Sequence, residues 1–240
     1  ATNAGGDGGN ADPDDYTKIS LKVDMSTAFN FDWSDAEWED YINKSYTSSN
    51  MPGYGADYKS IEYSNGWVTP CFDGNVTTIP GVLPYASYAE AIVLPNSVIH
   101  IGDNAFANHN KCTAINIPTS LQMIGKEAFA YVTCIKDLVL PESVVSIGQA
   151  AFFGCSNMTS VTIPSSLKTI STQAFSSSGL TEVFIPSSVQ KIETSAFQSC
   201  TNLKGVTIGN NTTVATMEVD QSAFQKCTSL KDVVVGSEVK

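Results

Sequence analysis

The chain contains no arginine. All 13 basic residues are lysine, set against 24 acids for a formal net charge of −11 over 240 residues. Arginine is the planar fork that reads phosphates and base edges. An acidic chain without it is a poor match for nucleic acid or for an anionic membrane surface. Histidine is almost as scarce, with His100 and His109 alone. No apolar run approaches the roughly 18 residues that a membrane helix needs. Six cysteines in 240 residues fall well short of a disulfide-built scaffold. Nucleophile elbows, Walker loops, dinucleotide fingerprints and zincin helices are all missing. The "GGDGG" near the start is not followed by a helix start, so it is no phosphate cradle. Cofactors and catalytic residues are therefore not expected.

What charge there is lies at one end. Residues 1–90 hold 14 acids and 4 lysines, whereas residues 91–240 hold 10 acids and 9 lysines. The chain opens on Ala1, Thr2 and Asn3 with no secretory leader, which for an exported protein implies a mature or trimmed form.

Against these absences stands a repetition. Ala-Phe pairs end at Phe106, Phe129, Phe152, Phe175, Phe197 and Phe224, in steps of 23, 23, 23, 22 and 27. Prolines keep the same period at Pro95, Pro118, Pro141, Pro164 and Pro186, with Gly209 in the next slot. Two columns with one period of this length imply stacked repeats, because a single such unit cannot bury its apolar side. Each unit begins with a short alternating segment, such as Val161-Thr162-Ile163 or Val206-Thr207-Ile208. Alternation sends the outer two residues to one face and the middle one to the other. Proline then ends the ladder, having no N–H to donate. A second apolar pair follows, as in Leu121/Ile124 and Val144/Ile147. The Ala-Phe closes the coil. Neighbouring strands would lie about 4.8 Å apart in a parallel sheet.

The segments "IPSSLKTISTQAF", "IPSSVQKIETSAF" and "LPESVVSIGQAAFFGC" resemble the BspA-type leucine-rich repeats of bacterial surface proteins, over about residues 91–240. The resemblance implies a leucine-rich-repeat solenoid, surface display as an outer-membrane lipoprotein or a secreted chain, and adhesion to or binding of a host or matrix protein. The expected fold is α/β by leucine-rich-repeat convention but strand-rich. It is a right-handed parallel-sheet solenoid of about six repeats of 22–27 residues, behind an N-terminal α+β cap.

The first ninety residues divide in two. Residues 1–15, rich in glycine and aspartate without apolar periodicity, read as a flexible acidic linker. Such a spacer resembles the stretch behind the lipid-bearing cysteine of bacterial surface lipoproteins, so any membrane attachment is expected through a lipid anchor outside this chain. Residues 16–90 read as a cap over the first coil. Ile19, Leu21, Val23 and Met25 alternate as a strand. Ser34 and Glu37 have capping-box spacing, and Trp33 with Trp38 that of a hydrophobic staple. Asn65-Gly66 marks a hairpin, and "VTTIPGVLP" at 76–84 is a degraded repeat.

Cys155, Cys200 and Cys227 share one column of the repeat with His109. A buried thiol there packs as a small hydrophobe. Cys200 and Cys227 lie in adjacent coils, near enough to bridge, as do Cys112 and Cys134, but reduced structural thiols are the expected state, since the repeat position already explains three of them. His109 and Cys112 fall short of the four ligands of a structural zinc site, so no metal is expected. The acids Asp35, Glu37, Glu39 and Asp40 suit the first turns of a short helix.

The middle residues of the strands, Val93, Asn116, Val139, Thr162, Phe184, Thr207 and Val234, should line the outer face of the sheet. Phe184 and three valines make that row more apolar than solvation requires, and contiguous apolar patches mark interaction sites. Thinly placed mixed charges beside it suit a protein partner better than a polyanion. The expected function is a non-catalytic surface binding protein that presents this sheet to a protein. The alternative is glycan binding through Trp33, Trp38, Trp67 and the tyrosines of the N-terminal segment.

Overall fold

The computed structural model describes residues 18–23, 34, 37, 53–55, 57–81, 88–209 and 217–236. The linker at 1–15, Trp33 and Trp38 lie outside the described residues. The described chain is a strand-rich parallel solenoid. Its main sheet is formed by the alternating segments, and a second sheet by the apolar pairs that follow each proline turn.

The main sheet contains β5 (Ala89–Val93), β7 (Ala114–Ile115), β9 (Asp137–Val139), β11 (Ser160–Thr162), β13 (Glu182–Ile185), β15 (Gly205–Ile208) and β17 (Asp232–Val235). Equivalent residues pair in parallel, coil to coil: Val161 with Leu138, Val183 with Val206, Val206 with Val233. The second face is built from two-residue strands in two hydrogen-bonded runs: β4 (Thr78–Ile79), β6 (His100–Ile101), β8 (Met123–Ile124) and β10 (Ser146–Ile147), then β12 (Thr169–Ile170), β14 (Lys191–Ile192) and β16 (Glu218–Val219). Because β4 pairs in parallel with β6, "VTTIPGVLP" already supplies a strand to the stack.

The proline column marks the turn between these sheets. In each of five coils the proline carbonyl accepts the N–H three residues on, as from Val98 to Pro95 at 3.1 Å and from Val144 to Pro141 at 3.0 Å. The serine that follows bonds backward across coils: Ser97 Oγ donates to the Val76 carbonyl at 2.7 Å, and Ser143 Oγ to that of Leu121 at 2.6 Å. Ser97, Ser143 and Ser166 thus satisfy backbone acceptors that the turn leaves without ladder partners, whereas Ser188 Oγ in the same column is buried without a partner among the described residues.

The third side is an arc around each phenylalanine. The residues two before and two after it adopt positive φ: Asn104 and Asn108, Glu127 and Tyr131, Ala150 and Gly154, and so on to Ser222 and Lys226. Alternate N–H groups there reach the next coil, as Phe106 to Ala128 and Phe129 to Ala151, both at 2.8 Å. The arc is therefore a third hydrogen-bonded seam. Inside it the six phenylalanine rings stack, with centroids 5.2–5.5 Å apart. That spacing follows the coil repeat and lies within the range favoured by offset aromatic pairs.

At the N-terminal end, β1 (Ser20–Val23), β2 (Asp57–Ser64) and β3 (Trp67–Asp73) extend the main sheet in antiparallel fashion. Strand β1 runs against β5, pairing Leu21 with Ile92, and Ile19, Leu21 and Val23 are fully buried. Asn65 and Gly66 both have positive φ, as a two-residue hairpin turn requires. Ser34 and Glu37 form the reciprocal bonds of a capping box: the Ser34 N–H donates to the Glu37 carboxylate at 2.7 Å, and the Glu37 N–H to Ser34 Oγ at 3.4 Å.

Candidate binding face

Strand alternation decides which side chains face out. In β13, Val183 and Ile185 are buried while Glu182 and Phe184 are exposed, and the other strands of the middle coils repeat this. Register then aligns the outward residues. Val139 pairs with Thr162, Thr162 with Phe184, Phe184 with Thr207, and Thr207 with Val234. Five of the seven expected site residues thus form one unbroken row. Within it Val139 is 65% exposed, Phe184 55% and Val234 57%.

Val93 and Asn116 are also exposed but lie apart from the row. The main sheet is not continuous: β5 pairs with β7, while the next run of paired strands begins at β9. Asn116 also turns its amide onto the backbone of the preceding coil. Its Oδ1 accepts from the Leu94 N–H at 2.7 Å and its Nδ2 donates to the Leu94 carbonyl at 2.8 Å. A side chain so held stabilises the sheet and has little left for a ligand.

A second outward row runs beside the first: Asp137 pairs with Ser160, and Glu182 with Gly205, which pairs in turn with Asp232. Asp137 accepts from Ser160 Oγ at 2.7 Å, which holds its carboxylate against the sheet. Gly205 leaves a notch between Glu182 and Asp232, and Thr207 a low point between Phe184 and Val234. The outcome is a shallow groove along β15 of about 410 Å³, walled by Glu182 and Phe184 on one side and Asp232 and Val234 on the other, with Lys204 at its mouth. The small residues that form its floor carry no sequence signal of their own. Their significance depends on the larger residues that register places beside them.

A smaller depression on the arc side also escaped the sequence reading. It is lined by Tyr131, Phe153, Glu127, Ala130, Ala150 and Gln173. Tyr131 is half exposed and meets Phe153 edge-on at 5.3 Å. A β-carbon at Gly154 would lie 2.6 Å from the Tyr131 ring, so glycine makes room for it. The signal was available, since Tyr131 and Phe153 are the aromatic exceptions in columns of small and polar residues.

The remaining candidates are packing residues. His109 is buried, with Nδ1 3.1 Å from the Ala107 carbonyl and its ring edge-on to Phe106. Burial pushes its pKa below the ordinary histidine value. Cys155 is fully buried, donates to the Phe129 carbonyl at 3.1 Å, and has its thiol pushed up to about 12 by burial. Cys200 Sγ contacts the Phe175 carbonyl at 3.1 Å and Ser178 Oγ at 3.2 Å. Trp67 is half-buried. Among the described residues no group of three or more His, Cys, Asp or Glu is placed to hold a metal ion, and no helix is long and apolar enough to cross a membrane.

Comparison with known proteins places this geometry. A leucine-rich cell surface protein from Faecalibacterium prausnitzii is 23% identical, with a TM-score of 0.49 over 62% of this chain and 48% of its own. A leucine-rich repeat protein from Eubacterium ventriosum is 20% identical, with a TM-score of 0.51 over 62% of this chain and 46% of its own. One from Bacteroides ovatus is 23% identical, with a TM-score of 0.33 over 74% of this chain and 62% of its own. The chain thus spans about half the length of the first and less than two thirds of the others, and the likeness bears on the fold alone. No curated protein matches. A profile of the BspA type leucine rich repeat region matches residues 77–135 and 122–240, in six copies. With the repeat matched over most of its length and the coils stacked as that repeat requires, the chain belongs to the BspA-type leucine-rich repeat family.

Proposed function

We propose that the protein is a non-catalytic binding protein of the cell surface, an outer-membrane lipoprotein or a secreted chain, that takes a protein partner on the outer face of its main sheet. The observation that supports this most is the row Val139, Thr162, Phe184, Thr207 and Val234, whose apolar members are exposed in register on consecutive coils. The core lies on the other side of the strands, so the row is not part of it. A large exposed aromatic ring is the side chain that most often anchors an interface, and Phe184 is the only one in the row. Lys136, Lys204 and Lys231 with Asp137, Glu182 and Asp232 supply a polar rim of both signs, which fits a protein surface better than a polyanion.

The test is a binding screen on immobilised extracellular-matrix and plasma proteins, with polysaccharides in parallel. Wild type is compared with a Val139→Asp/Phe184→Asp variant whose circular dichroism and melting are unchanged. Capture of a protein by wild type and a loss of at least tenfold in affinity in the variant is the expected result. Equal binding by both would remove the sheet face as the site. Selective capture of a polysaccharide would favour a glycan reading instead.

A further inference from the structure

Cys112 and Cys134 are each an exception within the repeat. Cys112 occupies the apolar column otherwise filled by Ile135, Met158, Leu180, Leu203 and Leu230. Cys134 occupies the preceding column, whose members Lys111, Asn157, Asn202 and Ser229 are polar. The period explains Cys155, Cys200 and Cys227 as one column. It explains neither of these two. The two exceptions nonetheless meet, with Sγ of Cys134 2.7 Å from Sγ of Cys112. That is closer than two non-bonded sulfurs rest, and roughly 0.7 Å from a disulfide bond length.

Their place in the fold gives the meeting a purpose. Cys112 precedes β7 by two residues and Cys134 precedes β9 by three, and β7 to β9 is the one step at which the run of paired strands in the main sheet lapses. Every other adjacent pair from β5 to β17 in that sheet is hydrogen-bonded. The geometry points to a disulfide between Cys112 and Cys134 that staples the two coils across this gap.

The chemistry needs an oxidant, and a small-molecule disulfide of the oxidised-glutathione class is sufficient. One protein thiolate attacks a sulfur of the reagent, forms a mixed disulfide and releases one reagent thiol. The second protein thiolate attacks the protein sulfur of that mixed disulfide and releases the other. Two protein thiols are oxidised, one reagent disulfide is reduced to two thiols, and the two protons end on the reagent. Cys134 is half exposed and Cys112 is buried beside it, so the reagent reaches the pair from the Cys134 side. The hydrogen bond from Cys134 holds the Cys112 thiol below its ordinary value and pushes that of Cys134 up, so the pair's first thiolate forms on Cys112. Closing this loop constrains the unfolded chain.

The lysine pattern makes the test direct, because trypsin would leave all six cysteines on separate peptides, with Cys112 on 112–126 and Cys134 on 127–136. The full chain is folded, equilibrated with oxidised glutathione, alkylated at free thiols without reduction, and digested. The expected product is a cross-linked 112–126/127–136 peptide, two hydrogens lighter than the sum of its parts and separated by reductant. Reductant should also lower the melting temperature of wild type by several degrees, while a Cys112→Ser/Cys134→Ser variant melts the same with or without it. Recovery of both peptides as alkylated free thiols from folded protein would overturn the proposal. So would a bridge from either cysteine to another peptide.

Discussion

At the scale of the residue, the structure separates side chains that resemble functional groups from those that only keep a column filled. His109 would be the obvious catalytic base in a chain with two histidines, yet it stands in the column that later holds Cys155, Cys200 and Cys227. Its Nδ1–H donates to Ala107, and Nε2 is buried without a partner. Burial is the main cause of its lowered pKa, opposed in part by the backbone of Ala107 and Phe106. The sign of the pH effect follows. The unfolded chain takes a proton near the ordinary value of about 6.5, before the folded protein does. His109 therefore leaves stability intact above that pH and erodes it as pH falls from there toward the folded pKa. His109→Val, which copies Val132 one coil on, should remove this slope. Urea unfolding at pH 7.5 and 5.5 reads it: wild type should lose more stability than the variant between the two. Parallel losses would mean that the imidazole is protonated in the fold without strain.

At the scale of the element, most of the coil is legible in the sequence, for a physical reason. A stacked coil must place the same side chain at the same depth each time, so Phe152, Phe175 and Phe197 recur with the period of the backbone. The outward row was legible for the same reason, since alternation fixes the face once the inward residues are known. Three things were not. The left-handed residues flanking each phenylalanine are Asn, Glu, Tyr, Ala, Gln, Ser and Lys as well as Gly154, so the glycine signal that marks positive φ was absent in five coils of six. The lapse between β7 and β9 leaves no trace, because the strand "AINIP" keeps the consensus. Asn116 read as an outward residue, which it is, while its bonds to Leu94 depend on coil spacing. The phenylalanine column supplies the test at this scale. Phe152 is fully buried between rings at 5.2 and 5.5 Å, whereas Phe224 is half-buried and stacks on Phe197 alone among the described rings. Phe152→Ala should lower unfolding stability by about 3–5 kcal/mol and Phe224→Ala by clearly less. Denaturant titration of both variants would contradict the stacked-column account if the two losses were equal.

At the scale of the whole molecule, a stack in which each coil touches only its neighbours has a stability that varies along its axis. Its two ends differ here. At the N-terminal end β1 lies against β5 and buries Ile19, Leu21 and Val23 completely. At the other, Val233 and Val235 are exposed, although their column partners Val206 and Ile208 are buried. Opening should therefore begin at β17, whose inward column is least buried, and move inward through β15. Native-state hydrogen exchange of this chain should show amides of β17 exchanging first, β15 next, and β13 and β11 slowest. A flat profile across these strands would instead make the solenoid a single cooperative unit. The gradient also bears on binding. The proposed row runs from Val139 in the protected middle to Val234 on the labile strand, with Phe184 between. A partner seated on that face would have to hold β15 and β17 in register, so its binding should slow exchange most where the free protein exchanges fastest. Protection confined to the N-terminal strands on adding partner would place the contact elsewhere.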